Sequence, residues 1–284
     1  MANKVIFFDM ELKDSWINKD VFSHVTSLQG DLFRQVENRL TKRIRLNGKN
    51  YFIKIHQGVG LAEVFKNWAT LRQPIWGAKQ ELQAAIRLQQ LGIDSIKPLV
   101  FGQRGFFKWK QQSFLITQAI EHSVSLEEYT WKWSDEPPEY RIKMNLIKHI
   151  ARITRQLHQN GINHRDLYLC HFLLNTQNTE QVHLIDLHRA QIRKKNVPQR
   201  WIEKDLAGLF FSAMAIGLTW KDILRFMKYY TKSPLREVLL QLIWPRTYKR
   251  ALMLYHKQFK GDDTVKNFGA PSNPLLSRHL YLRI

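Results

Sequence analysis

The stretch Gly161–Asn175, GINHRDLYLCHFLLN, decides how the chain is read. Upstream of it, Ile142, Leu146, Ile150, Ile153 and Leu157 recur at helical spacing and predict one amphipathic helix that closes at Asn160-Gly161. Downstream, FLLN is short and apolar and predicts a strand. His164-Arg165-Asp166 lies between the two. A helix on one side and a strand on the other give the Asp166 carboxylate a rigid mount.

Twenty residues further on, VHLIDLH places Asp186 at the end of a second apolar strand. Two carboxylates at neighbouring strand ends suit phosphoryl transfer. One takes the proton of an acceptor hydroxyl; the other holds the metal that neutralises phosphate charge. His-Arg-Asp followed at this distance by a second Asp is the order found in a kinase catalytic loop and its Mg²⁺-binding aspartate. Where that loop carries a metal-binding Asn, this chain has His171. Mg²⁺ prefers oxygen, so His171 has three readings: a metal ligand, direct or through water; a phosphate donor; or packing beneath the loop. His164 reads as a structural residue bonding backbone, and Cys170 as a buried, inert thiol.

Such chemistry needs a lysine on a strand and a glutamate on a helix upstream. RLTKRIRL and KNYFIKIH flank Asn47-Gly48, a strong hairpin signal. Lys54 shares a face of the second strand with Phe52 and His56, a rigid place from which to reach a nucleotide phosphate. Glu81, in the amphipathic helix predicted over 78–91 and capped by Gly92, is the preferred partner for Lys54. Glu63, in a helix predicted over 61–71, competes with it. The segment ahead of the Lys54 strand has no Gly-rich phosphate loop and only one glycine, Gly30. Either a turn there or basic side chains must cover the phosphates.

SIKPLVFGQ and SFLITQAI predict a second strand pair, and beyond residue 120 the pattern turns helical. Ser125 with Glu128 forms a capping-box pattern ahead of LEEYTWKW. The apolar GLFFSAMAIGLTW (Gly208–Trp220) is too short to cross a bilayer and reads as one buried helix. The fold class is therefore α+β, bilobal and protein-kinase-like. Residues 1–118 would form a small antiparallel-sheet lobe that binds nucleotide, and 119–284 a larger, mainly helical catalytic lobe.

Forty-four Lys and Arg against 24 acids give +20. A field of this sign draws polyanions: nucleic acid, anionic membrane, phosphorylated substrates or acidic proteins. The single cysteine excludes an internal disulfide and fits a reducing compartment. The N-terminus lacks a secretory pattern, so a cytoplasmic protein is expected.

The segments LQGDLFRQ, YFIKIHQG, SFLITQ, SLEEY, GINHRDLYLCHFLL, VHLIDLHRAQIR and RWIEKDLAGLFFS together resemble the lipopolysaccharide core heptose(I) kinase family of Gram-negative bacteria. The resemblance runs from about Leu28 to Tyr230 and is less clear over the last fifty residues. It implies a protein-kinase-like fold and ATP-dependent phosphorylation, with Mg²⁺, of O4 of the first inner-core heptose. The acceptor would be a lipid-linked core intermediate at the cytoplasmic face of the inner membrane. The resemblance makes Asp166 the catalytic aspartate, Asp186 the Mg²⁺ ligand and Lys54 the nucleotide lysine. The family carries the same changed loop, so His171 does not mark a dead enzyme.

Between Asp186 and Asp205 lie eighteen residues, 187 to 204, with no Ala-Pro-Glu motif after them. A long phosphorylated activation loop does not fit there, so a glycolipid or small acceptor is expected. Arg189, Arg193, Lys194, Lys195 and Arg200 are read as meeting the acceptor's phosphates and carboxylates, or else as a solvated basic loop. Trp131, Trp133 and the aromatics of YHKQF are read as sugar-stacking, membrane-interface or core residues. Peripheral contact with the inner membrane and an acidic protein partner fit the charge; nucleic acid is not the expected partner. A polyanion- or membrane-binding module on a degenerate kinase scaffold, or a kinase for another acceptor, are the alternatives.

Overall fold

The computed structural model describes residues 4–16, 18–36, 38–58 and 77–259. The helix expected over 61–71, with Glu63, and the tail beyond 259 lie outside the described residues. The chain forms two compact units: residues up to Glu121 with Asp186–Arg189, and His122–Ile185 with Ala190 onward.

The first unit is built on a six-stranded antiparallel sheet of β1 (Lys4–Phe7), β2 (Asp31–Val36), β3 (Arg39–Leu46), β4 (Lys49–His56), β5 (Pro98–Arg104) and β6 (Gln112–Gln118), in the order β1-β5-β6-β4-β3-β2. β3 and β4 pair along their whole length, Leu46 opposite Lys49, around Asn47-Gly48. Both turn residues have positive φ, 49° and 77°, as a two-residue hairpin turn requires. α1 (Met10–Trp16) and α2 (Val21–Ser27) bury Trp16, Phe22, Ile53, Phe114 and Ile116 on one face of the sheet. Each side chain removed from water contributes about 1.5–3 kcal/mol. α3 (Lys79–Gln90) packs Leu82 against Phe101 and Leu115.

The second unit holds a three-stranded sheet of β7 (Ser123–Ser125), β9 (Phe172–Asn175) and β10 (Val182–Leu184), and a two-stranded one of β8 (Ile162–Asn163) and β11 (Gln191–Ile192). Its helices are α4 (Leu126–Thr130), α5 (Tyr140–Gln159), α6 (Gln199–Ala213), α7 (Trp220–Thr231), α8 (Leu235–Leu240) and α9 (Ile243–Gln258). Ser125 Oγ accepts the Glu128 N–H at 3.1 Å and starts α4. α5 buries Leu146, Ile150, Ile153 and Leu157, whereas Ile142, in its first turn, is exposed. Gly161 ends it at φ 75°, where an added Cβ would strike the Arg193 and Lys195 carbonyls.

The apolar run Gly208–Trp220 is not one helix. α6 stops at Ala213, Gly217 turns at φ 70°, and Thr219 caps α7 through a reciprocal bond with Asp222. Capping and a left-handed glycine override the apolar pattern. Asp222 also pairs with Lys143 at 3.0 Å, tying α7 to α5. An apolar cavity of about 120 Å³ lies among these helices, lined by Leu126, Trp133, Leu146, Phe210, Phe226 and Trp244. Among the described residues no helix is long and apolar enough to cross a membrane.

Candidate active site

Asp205, in the second turn of α6, is fully buried and organises the His-Arg-Asp loop. The His164 N–H donates to its Oδ2 at 2.6 Å and the Arg165 N–H to its Oδ1 at 2.8 Å. These bonds hold Arg165 at φ 74°, a left-handed conformation that costs a non-glycine residue about 1–2 kcal/mol. Asp166 follows at once, half-buried, so a fixed backbone presents a reachable carboxylate.

His158 of α5 extends this base. Its Nε2 lies 3.4 Å from Asp205 Oδ2 and its Nδ1 2.8 Å from the Tyr230 hydroxyl. One tautomer satisfies both contacts: Nε2–H donates to the carboxylate and Nδ1 accepts from Tyr230. Burial, with the Asp205 charge, raises the Tyr230 pKa and keeps its hydroxyl protonated.

The loop closes on itself through two further imidazoles. His171 Nδ1–H donates to the Asp166 carbonyl at 2.7 Å, and His164 Nε2–H to the Ile185 carbonyl at 2.9 Å. The Ile185 N–H returns to the His171 carbonyl at 2.9 Å. The Nδ1 contact ties His171 to the Asp166 backbone. Cys170 is half-buried, where full burial was expected.

In the first unit, Lys54 lies on β4, an interior strand hydrogen-bonded to β3 and β6. Its Nζ pairs with Oε1 of Glu81 from α3. Glu81 is therefore the helix acid beside this lysine. Its side chain is 0% exposed, so the ammonium is held by a charge that solvent does not screen. Asp186 belongs to the same unit. It sits at φ 59°, and Nδ1 of His188 bonds its Oδ1 from the 3-10 turn Leu187–Arg189. Gly30 precedes β2, and a Cβ there would lie 2.4 Å from the Arg43 carbonyl. Close approach to β3 explains this glycine without any phosphate.

Among the described residues no three His, Cys, Asp or Glu gather to hold a metal. One carboxylate, Asp186, nonetheless fits a divalent cation that arrives with nucleotide phosphates, because Mg²⁺ keeps its waters and takes one or two carboxylates.

The basic segment divides. Lys194 and Lys195 are exposed and Arg189 is half-buried. Arg193, expected to face an acceptor, turns inward: its guanidinium donates to Asn163 Oδ1 and Gln191 Oε1. Burial lowers its pKa, Asp205 opposes this, and Arg200 adds to it. Trp133 is buried in the core and Trp131 is exposed; Tyr255 is buried and Phe259 exposed.

A model of the Lipopolysaccharide kinase (Kdo/WaaP) family matches residues 23–230, a span that contains Lys54, Glu81, Asp166, Asp186 and Asp205. The chain belongs to this family. It is 46% identical over 239 residues to the lipopolysaccharide core heptose(I) kinase WaaP of Escherichia coli, covering 81% of this chain and 90% of that one. It is 42% identical over 260 residues to WaaP of Pseudomonas aeruginosa, covering 88% and 96%. A solved structure of WaaP in complex with acyl carrier protein superposes with a TM-score of 0.77 at 36% identity, over 89% of this chain and 99% of that one. The fold is thus that of the Kdo/WaaP kinases, α+β. Membership in a kinase family brings ATP and a divalent cation with it.

Sequence reasoning missed Asp205, His158, Asn163 and His188. For Asp205 a signal existed: an acid inside an apolar helix, KDLAGLFF, has to be buried against donors.

Proposed function

We propose that this protein transfers the γ-phosphoryl group of ATP to O4 of the first heptose of the lipopolysaccharide inner core. The observation that carries this reading is the family match across 23–230, together with 46% identity to a heptose(I) kinase. Asp166 accepts the proton of the heptose hydroxyl as its oxygen attacks the γ-phosphorus. Asp205 and His171 hold the Asp166 backbone in place by the bonds described above. Lys54, fixed by Glu81, meets the nucleotide phosphates. Asp186, oriented by His188, would hold Mg²⁺, which neutralises phosphate charge when bound. Gly30 has no assigned contact in this scheme, and basic side chains take the place of a Gly-rich loop.

The net charge of +20 supports peripheral contact with the anionic inner-membrane surface and an acidic partner of the acyl carrier protein kind. The deciding experiment is transfer of labelled γ-phosphate to purified core acceptors of graded length, followed by location of the modified hydroxyl. Label at heptose O4 is expected. No transfer, or label on another sugar, overturns the reading.

A further inference from the structure

The hairpin that joins β5 to β6 ends in Phe106-Phe107-Lys108-Trp109-Lys110, and none of the site residues described above lies on it. Phe106 is 86% exposed, the highest value of any large apolar side chain among the described residues, and Phe107 is 51% exposed. Phe107 meets Phe106 edge-on at 5.3 Å and stacks on the half-buried Trp109 at 4.8 Å, so the three rings form one patch. The backbone beneath them is fixed. Gly105 makes the bend at φ 105°. The Lys110 N–H donates to the Phe107 carbonyl at 3.0 Å, and the Gln111 side-chain amide to the Gly105 carbonyl at 3.2 Å. Arg104 Nε donates to Gln112 Oε1 at 2.7 Å across the hairpin. A contact made by a tip already ordered in this way loses little entropy.

The stretch of chain that carries the patch is charged with one sign only. Between Asp94 and Glu121 it holds four Lys or Arg and no acid. Lys110 is exposed beside the rings, and the exposed Lys4 of β1 stands opposite Gln103, at the hairpin's end of the sheet. Arg104 is engaged within the unit, over the Phe22 ring and with its charge acting on Asp20. Surfaces that bind other proteins are enriched in aromatic residues but depleted in lysine. Rings of Phe and Trp interleaved with Lys match the boundary of an anionic bilayer instead. There the rings enter among the acyl chains while the ammonium groups reach the lipid phosphates. Each cation near such a surface strengthens binding by about fivefold.

We propose that the β5–β6 tip is a membrane-contact loop, which inserts Phe106, Phe107 and Trp109 into the headgroup boundary of an anionic phospholipid bilayer. Lys110 and Lys4 meet the lipid phosphates. The inference rests on the membrane-contact reading above, which net charge alone supports, and deepens it by naming the surface and the class of lipid.

The test is flotation of the whole chain with vesicles of phosphatidylglycerol and phosphatidylethanolamine, or of phosphatidylcholine alone. The unaltered protein is compared with Phe106→Ser/Phe107→Ser and with Lys110→Glu. The unaltered protein is expected to bind the anionic vesicles at least about tenfold more tightly than the zwitterionic ones. The phenylalanine variant should lose more than about tenfold in affinity and Lys110→Glu about fivefold or more, both with unchanged melting temperatures. Undiminished vesicle affinity in the phenylalanine variant overturns the loop and moves membrane contact to another surface. Absence of vesicle binding by the unaltered protein overturns the loop and the membrane-contact reading together. Equal binding to the two kinds of vesicle overturns the lipid class. If the phenylalanine variant keeps its vesicles but loses an acidic protein partner, the patch is a protein surface and the proposal falls.

Discussion

Lys54 neutralises one oxygen of a fully buried carboxylate, that of Glu81, whose Oε2 meets no hydrogen-bond partner among the described residues. The pair is therefore a structural joint between β4 and α3 as well as the proposed phosphate grip. Lys54→Ala would strand a buried charge and should destabilise the protein by on the order of 3–5 kcal/mol in urea unfolding. Lys54→Met/Glu81→Leu should recover most of that stability while remaining unable to use ATP normally. If the double variant stays as unstable as the single one, the pair is not the source of the loss.

Asp166 is different in kind, because it is half-buried and its backbone carbonyl accepts from His171 within the loop. Asp166→Asn should lower kcat by about 10²–10⁴, the usual value of positioned proton transfer, with the melting temperature unchanged. Unchanged turnover removes Asp166 from the mechanism.

Asp205→Asn keeps the shape but replaces one accepting oxygen by a donor facing backbone N–H groups. The variant should lose about 1–3 kcal/mol or more of stability, and kcat should fall because Arg165 is no longer held at its left-handed φ. Full activity in this variant would mean the loop is shaped by other contacts.

Arg193 and Lys194 are neighbours in sequence with opposite fates. Arg193→Gln removes the donors to Asn163 on β8 and to Gln191 on β11 and should cost about 1–3 kcal/mol. Lys194→Gln, on the surface, should stay within about 0.5 kcal/mol. Equal unfolding midpoints would place both side chains in solvent.

Much of this architecture was written locally. Asn47-Gly48 announces a hairpin because two residues at positive φ suit few other pairs, and α5 announces itself through its apolar face. The pairing of Lys54 with Glu81 was legible because the chemistry proposed for the site asks for a strand lysine held by a helix acid. What stayed hidden depends on tertiary partners. β1 is four residues long, and only its pairing with β5 makes it a strand. The inward turn of Arg193 and the placement of Asp205 under the loop pair residues 30 to 41 positions apart, beyond the reach of any local pattern. The break in the apolar run Gly208–Trp220 was legible at Gly217 and Thr219, but the hydrophobic signal outweighed them.

His56 leads to a prediction about pH. It shares the Lys54 face of β4, is buried, and its Nε2 has no partner among the described residues. Burial first, then the charges of Arg39, His188 and Lys54, lower its pKa to about 3. Above the ordinary value of 6.5 the imidazole is neutral in both folded and unfolded chains, so it has no effect on the balance. Below 6.5 the unfolded chain takes up a proton that the native protein refuses until about pH 3. Stability should therefore fall as pH drops through this window, by up to about 1.4 kcal/mol per unit. Between pH 7 and pH 5 this group alone should remove about 2 kcal/mol. His56→Leu abolishes the proton uptake, so its unfolding free energy should be flatter between pH 7 and pH 5. An identical slope in the two proteins would place the responsible protonation elsewhere.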